Sequence, residues 1–195
     1  MKGLKLKEFR VIKSEIRILG VDDGKFVPHT KGEVIVVGVV FGGGSSIDGV
    51  MHTHISIDGF DSTQQIASMI IGSPHHKQLR LVMLYGITFG GFNVVNIREL
   101  CEATELPVIA LTCDQPDMEA VKNAICRLPR SEDRWNIILE AGKIREIISK
   151  GKKLYMETAG ISEVDAREII ESTATRSCVP EPLRVAHLIA SGISL

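Results

Sequence analysis

The sequence predicts one three-layer α/β domain over residues 1–195, a five- or six-stranded mixed sheet with helices on both faces. Three observations carry this. Short β-branched or alternating segments follow one another between Glu15 and Ile57, as the strands of an antiparallel meander do. From Asp61 onward, apolar residues at helical spacing alternate with short apolar runs, the rhythm of β-α-β crossovers. The composition is 44% hydrophobic and 24% charged over 195 residues, ordinary for a chain that buries a core.

The elements follow in order. Glu15–Asp22 (EIRILGVD) reads as the first strand, stopped by the Asp23-Gly24 turn. Glu33–Phe41 (EVIVVGVVF) is nearly all apolar, as a strand covered on both faces is. Gly42–Ser46 breaks it as a flexible hairpin connection, and Val50–Ile57 (VMHTHISI) alternates as a third strand. Asp61 or Ser62 caps a helix with Ile66, Met69 and Ile70 at helical spacing, ended by Gly72-Ser73-Pro74. Leu79–Leu84 is a fourth strand, Gly86–Gly91 a glycine-rich bend, Val94–Thr104 a helix and Pro107–Thr112 a fifth strand. Asp117–Ile125 and Glu132–Ser149 read as helices, Lys153–Thr158 as a short sixth strand, and Ser162–Ser172 and Pro180–Ser191 as closing helices. Three meander strands followed by two right-handed crossovers make the ribonuclease H-like architecture.

Several classes are excluded. Lys plus Arg is 23 and Asp plus Glu is 24, a formal charge of −1, so no global basic field grips a polyanion. One Trp, two Tyr and six Phe are too few for broad stacking platforms. No apolar run approaches the roughly 18–20 residues that span a bilayer. The start lacks a continuous apolar core and a small-residue cleavage site, so a cytoplasmic protein without a membrane partner is expected. Cys101, Cys113, Cys126 and Cys178 form no C-x-x-C and are expected as free thiols.

The topology places chemistry on one edge. If strands one and three both run antiparallel to strand two, and strand four parallels strand one, their C-terminal ends share an edge, where open α/β sheets bind ligands. Those ends carry Asp22, Asp23, Asp58 and Asp61. Clustered carboxylates repel, and Mg²⁺ or Mn²⁺ is the usual remedy. A two-ion site would stabilise the attacking and leaving oxygens of a phosphodiester. The bland alternative is an Asp-Gly turn and a helix cap.

The segments ILGVDDG, VVGVVFGGG, IDGFDST and GITFGGFNVVNI together resemble a mostly archaeal family, the domain-of-unknown-function family ninety-nine. Gly86–Asn93 is the most specific part of the resemblance, which runs from about Ile16 to the closing helices. That family is grouped with endonuclease V, which cleaves nucleic acid near deaminated bases using Mg²⁺ held by acidic residues. The resemblance implies Asp22 as the metal-binding residue of the first strand and Asp61 as the second acidic residue, the pair being the catalytic candidates. Asp23 and Asp58 are read as additional metal ligands or supporting carboxylates. The third ligand of endonuclease V, an Asp before a Gly at the end of strand four, is Tyr85 before Gly86 here, and Asn96 stands where the family suggests an acidic residue. A phenol ligates Mg²⁺ poorly, since its proton leaves only near pH 10.

The bend before the next helix is either a tight turn or a phosphate- or base-binding loop. The substrate-binding candidates are Tyr85, Gly86, Thr88, Phe89, Gly90, Gly91 and Asn93, with Phe89 or Phe92 as base wedges or core. His52 and His54 share a strand face, and His75-His76 sits at the other end of the sheet. These read as solvated histidines or, with Asp22 or Asp61, a zinc site. Cys113 has no evident His partner for nucleophilic catalysis. Lys2, Lys5, Lys7, Arg10, Lys13, Lys150, Lys152 and Lys153 are a solvated face or phosphate contacts. The final helix, with Leu183, Ala186, His187, Ile189 and Ala190, is core or a homodimer contact. Two functions follow: a divalent-metal-dependent nuclease or nucleotide-phosphate hydrolase, and a non-catalytic nucleic-acid-binding or assembly module on the same fold.

Overall fold

The computed structural model describes residues 6, 7, 9, 15–28 and 30–194; Lys2, Lys5, Arg10 and Lys13 lie outside them. The meander forms as β1 (Arg17–Asp23), β2 (Glu33–Gly42) and β3 (Ser46–Ser56), paired antiparallel. Helix α1 (Ser62–Ile71) leads to β4 (Leu81–Leu84), which pairs parallel with β1. The glycine-rich bend folds into a small hairpin, β5 (Thr88–Phe89) and β6 (Asn93–Val94), with Gly90 and Gly91 at φ +51° and +89°. Helix α2 (Ile97–Thr104) leads to β7 (Val108–Thr112), parallel to β4. Then come α3 (Met118–Ile125), α4 (Ser131–Ala141), the hairpin β8 (Arg145–Ser149) and β9 (Lys152–Ala159), α5 (Glu163–Thr173) and α6 (Glu181–Ile193).

The main sheet runs β3-β2-β1-β4-β7-β9-β8. It therefore has seven strands rather than five or six, because the expected long helix over Glu132–Ser149 stops at Ala141. Gly142, at φ +102°, ends it. Arg145–Ser149 then turns back through Lys150-Gly151, both left-handed at φ +46° and +76°. That is the backbone of a tight hairpin turn, matched to strand twist. Asn96 is accounted for locally. Its side chain accepts the N–H groups of Arg98 and Glu99, both at 3.1 Å, and caps α2.

Strand alternation divides the core into two layers. Leu19 and Val21 face Ile66, Ile70 and Leu100 of α1 and α2, whereas Ile18 faces Ile169 and Leu183 of α5 and α6. On β2, Val34, Val36 and Val40 join the first layer and Val37 and Val39 meet Ala186 and Ala190 of α6. Each such side chain contributes ~1.5–3 kcal/mol by leaving water. Helix α6 lies close on β1 because position 20 is glycine: a Cβ there would overlap the backbone of Pro182. Gly20→Ala is expected to destabilise by about 3 kcal/mol, as overpacking against main chain does, read as a lowered denaturant midpoint.

Candidate active site

Strand β1 delivers two carboxylates at its end, beside β4 and beneath α6. Asp22 is 4% exposed. Its Oδ1 accepts the Asp23 N–H at 2.9 Å, and its Oδ2 pairs with His187 Nδ1 of α6 at 2.7 Å. Asp23 turns to the other face, where its Oδ2 accepts the Gly90 N–H at 2.7 Å. The two carboxyls still interact at the strand end. Burial first, and then the charge of Asp23, pushes Asp22 up to about 7, against the hydrogen bond from His187. Burial also raises Asp23, opposed by the Gly90 amide and by Asp22. Tyr85, at the end of β4, stacks on His187 with ring centroids 5.8 Å apart, and its hydroxyl lies 3.2 Å from Cys113 Sγ. Burial, then Cys113, pushes the phenol well above its ordinary range.

The other two carboxylates do different work. β2 stands between β1 and β3, so the ends of β1 and β3 are two strand spacings apart, roughly 10 Å. Asp61 accepts the Ser56 N–H at 3.1 Å, the Ser56 hydroxyl at 2.9 Å and Asn93 Nδ2 at 2.6 Å. Burial alone would raise Asp61, but those donors outweigh it and hold the group below its usual range. It sits at the N-cap of α1 without capping it through its side chain. Asp58, left-handed at φ +51°, accepts the Phe92 N–H at 2.9 Å. The expected four-carboxylate cluster is thus corrected: Asp22 and Asp23 come together, Asp58 and Asp61 clasp a loop.

That loop is locked from beneath by Arg134 of α4, 1% exposed. Its guanidinium donates to the carbonyls of Gly59 (2.9 Å), Asp58 (2.5 Å) and Phe92, and lies 3.9 Å over the Phe60 ring. Phe89 and Asn93 are fully buried. The Phe89 ring is core rather than a base wedge, and the Asn93 side chain is engaged with Asp61 and the Ser62 N–H. Thr88 is exposed, Gly86 has φ +80°, and Gly90 touches the site through its amide. His52 and His54 stack edge-to-face at 6.0 Å on β3, and His76 bonds the Thr104 carbonyl at 2.9 Å. All four cysteines are free.

Among the described residues, no three His, Cys, Asp or Glu side chains gather as a metal site. The oxygen donors that would hold a hard cation at the end of β1 are Asp22 and Asp23. Asp22 is buried and Asp23 half-buried; the charge of Asp23 raises Asp22, and His187 acts on both. A divalent ion held by one or two carboxylates completes its shell with water and phosphate oxygens.

Sequence reasoning missed three residues. His187 follows Leu183 by one helical turn, the signal that it borders the buried face of α6. Arg134 left no signal, since a lone Arg in an amphipathic helix reads as solvated. Glu157 was visible as a charge inside the apolar run of β9. It lines a cavity beside Tyr85, and burial pushes it up to about 7. An acid whose folded pKa is raised stabilises the fold below its unfolded value, and that contribution is lost as pH rises from about 4 through 7. Glu157→Gln is expected to gain about 1–3 kcal/mol above pH 7 and nothing at pH 4, measured by urea unfolding at the two pH values.

The sheet order and the helices on both faces define an α/β protein of the ribonuclease H-like fold with a paired-aspartate strand end. The chain belongs to the family described as endonuclease dU, whose model matches residues 14–194. It is 52% identical over 96% of its length to a UPF0215 protein of Methanothermobacter thermautotrophicus, covering 92% of that protein. It is 41% identical over 94% of its length to a UPF0215 protein of Pyrococcus furiosus, covering 95% of it. Among solved structures, a protein of unknown function from Archaeoglobus fulgidus superposes with a TM-score of 0.84 at 36% identity, over 91% of this chain and 98% of that one. Ciona intestinalis endonuclease V, solved with DNA containing an inosine, has a TM-score of 0.58 at 13% identity, over 88% of this chain and 82% of that one, a likeness of fold. No helix among the described residues is long and apolar enough to cross a membrane.

Proposed function

We propose that this protein is an endonuclease V-like nuclease that hydrolyses a phosphodiester of nucleic acid near a deaminated base, with Mg²⁺ or Mn²⁺ bound at Asp22 and Asp23. The observation that carries the reading is the buried Asp22, tied to His187 and interacting with the half-buried Asp23, at the carboxyl end of β1. The family description, which names an endonuclease, supports it. A cation bound there would neutralise charge developing on the phosphate. The rest is done by the chain itself. Asp22 holds the His187 ring through Nδ1, which leaves Nε2 facing outward on a side chain 57% exposed. From there it can take a proton from water or return one to the leaving oxygen. The Gly90 amide holds Asp23, and Tyr85 keeps the imidazole plane in place by stacking.

The test is incubation of the pure protein with Mn²⁺ and strands carrying single uracil or hypoxanthine bases. Cation-dependent cleavage, abolished by chelation, is the expected outcome. No cleavage together with no calorimetric cation binding would refute the reading.

Tyr85 favours a second reading, a nucleic-acid-binding module that does not cut. Its phenol is turned to Cys113 and held protonated, so the end of β4 offers no anionic ligand. Tyr85→Asp separates the two. If the native protein binds strands without cutting them and the variant gains cleavage, the site is a degenerate one. The nuclease reading expects native cleavage, and Tyr85→Phe to retain it within about tenfold, since stacking on His187 is kept.

A further inference from the structure

The free edge of the sheet takes no part in the chemistry above. Strand β3 ends the sheet order. Its eleven residues (SIDGVMHTHIS) hold no Lys, Arg, Glu or Pro, the residues that commonly guard an edge against pairing. Its carboxylate, Asp48, is taken by Arg17 at 2.9 Å. The register shift of the β2–β3 pair lies at Val40/Phe41, before the stretch from Val50 to His54. The hydrogen-bond phase of that stretch follows from its neighbours. The Ile35 carbonyl accepts the Gly24 N–H at 2.8 Å, so Ile35 and Val37 turn their backbone groups to β1, and Val36 and Gly38 turn theirs to β3. The register partners of those two are Thr53 and Met51. Val50, His52 and His54, which alternate with them, therefore aim their N–H and C=O groups outward, where no backbone group among the described residues meets them. Ser56 closes the row, its N–H already given to Asp61 at 3.1 Å.

That outward row carries two imidazoles. His52 and His54 are exposed on the α6 side of the sheet, since their register partners Val37 and Ile35 face that helix. Their rings stand 6.0 Å apart. Imidazole suits zinc and the neighbouring late first-row metals. Two rings on one tetrahedral Zn²⁺ have centroids roughly 5 Å apart, given Zn–N bonds of about 2.0–2.1 Å, so a small rotation of either side chain closes the pair on an ion. The carboxylates expected to complete a zinc site are placed elsewhere. Asp22 lies two strands away through Val37, roughly 10 Å, and the oxygens of Asp61 already accept from Ser56 and Asn93. One chain thus supplies half of a tetrahedral set. A second copy supplies the same half. Antiparallel pairing of two β3 strands about a two-fold axis at Thr53 sets His52 of each chain opposite His54 of the other, in hydrogen-bonded pairs with Cα atoms about 5.5 Å apart. All four imidazoles then share one face, because pairing preserves side-chain alternation. We propose that His52 and His54 form a zinc site completed by the same two residues of a second copy, so that Zn²⁺ joins two chains edge to edge at β3. The assignment is independent of the nuclease reading.

Sedimentation velocity and calorimetry on the full chain, with zinc ions alone as the probe, test it. The Asp22→Asn variant is measured beside the native protein, so that a cation held at the end of β1 is not counted. One Zn²⁺ per two chains is expected, with a shift from monomer to dimer that a chelator reverses. Co²⁺ in place of Zn²⁺ is expected to show the intense visible absorption of a four-coordinate ion. His52→Gln and His54→Gln change exposed side chains, and unfolding midpoints measured without metal should match the native one. Each is expected to weaken zinc binding at least about tenfold, the order of a lost ligand contact. The double variant is expected to stay monomeric at every zinc concentration that pairs the native chain. One ion per chain without pairing, a dimer indifferent to zinc or to the double variant, or no zinc binding would overturn the proposal. Because none of these readings needs turnover or a nucleic acid, its failure is distinct from a failure to cut.

Discussion

Asp22→Asn is expected to lower cation-dependent cleavage by at least about 10²–10³-fold, the usual loss when one preorganised electrostatic group is removed from a reacting centre. The same substitution is expected to stabilise the fold at pH 8. Asp22 is buried and titrates at about 7, against roughly 3.9 in an unfolded chain. The sign follows: its contribution favours folding below about pH 4 and is lost as pH rises through 7. Three pH units at 1.36 kcal/mol each set a ceiling of about 4 kcal/mol. The weakened bond to His187 returns roughly 1–2 of it, so a gain of about 2 kcal/mol is expected at pH 8 and none at pH 4. Initial cleavage rates and guanidinium unfolding on the same preparations check both halves. A variant that is less stable at pH 8 would mean that Asp22 is a structural anchor, and the catalytic assignment would fail with it.

Arg134→Met is expected to be the most destabilising single change away from the strands. The native guanidinium donates to the carbonyls of Pro129, Gly59, Phe92 and Asp58 at once. Methionine restores the stem but none of the donors, and each buried carbonyl left without a partner costs about 1–3 kcal/mol. Relaxation of the loop returns part of that, so a loss of about 4 kcal/mol is expected. In a chain of this length it corresponds to a fall in Tm of roughly 8–16 °C. Arg134→Lys should lie between, because one ammonium cannot serve carbonyls spread along a planar fork. The hairpin β5–β6 contains the Gly90 amide that holds Asp23, so cleavage should fall in both variants even below their melting temperatures. Calorimetry and a rate measured at low temperature separate the two effects.

The meander was legible because its strands are local in sequence and their patterns unambiguous: the nearly unbroken apolar run of β2 demanded cover on both faces, and it has it. The helix α1 and the parallel strands β4 and β7 were legible for the same reason. β8 was not. Arg145–Ser149 contains two isoleucines among charged residues, a pattern that suits a helix or an edge strand, and the left-handed Lys150-Gly151 turn settled it. In the site, Asp22 and Asp23 stood out as acids at a strand end; Asp22 lies buried against His187 of α6, whereas the half-buried Asp23 faces the Gly90 amide. Asp58 and Asp61 looked the same in sequence and are loop clasps, because a carboxylate does not announce whether its neighbours will be amide donors or other carboxylates.

By itself, then, the order of elements along the chain determined the architecture and which strand end would carry acid. Those are consequences of periodicity and short connections, and both are local. Folding decided the rest. His187 reaches Asp22 across 165 residues, Arg134 reaches the Asp58 carbonyl across 76, and Glu157 meets its cavity through strand register. Partners that distant are chosen by helix packing and hydrogen-bond satisfaction in three dimensions, which no spacing along the chain encodes.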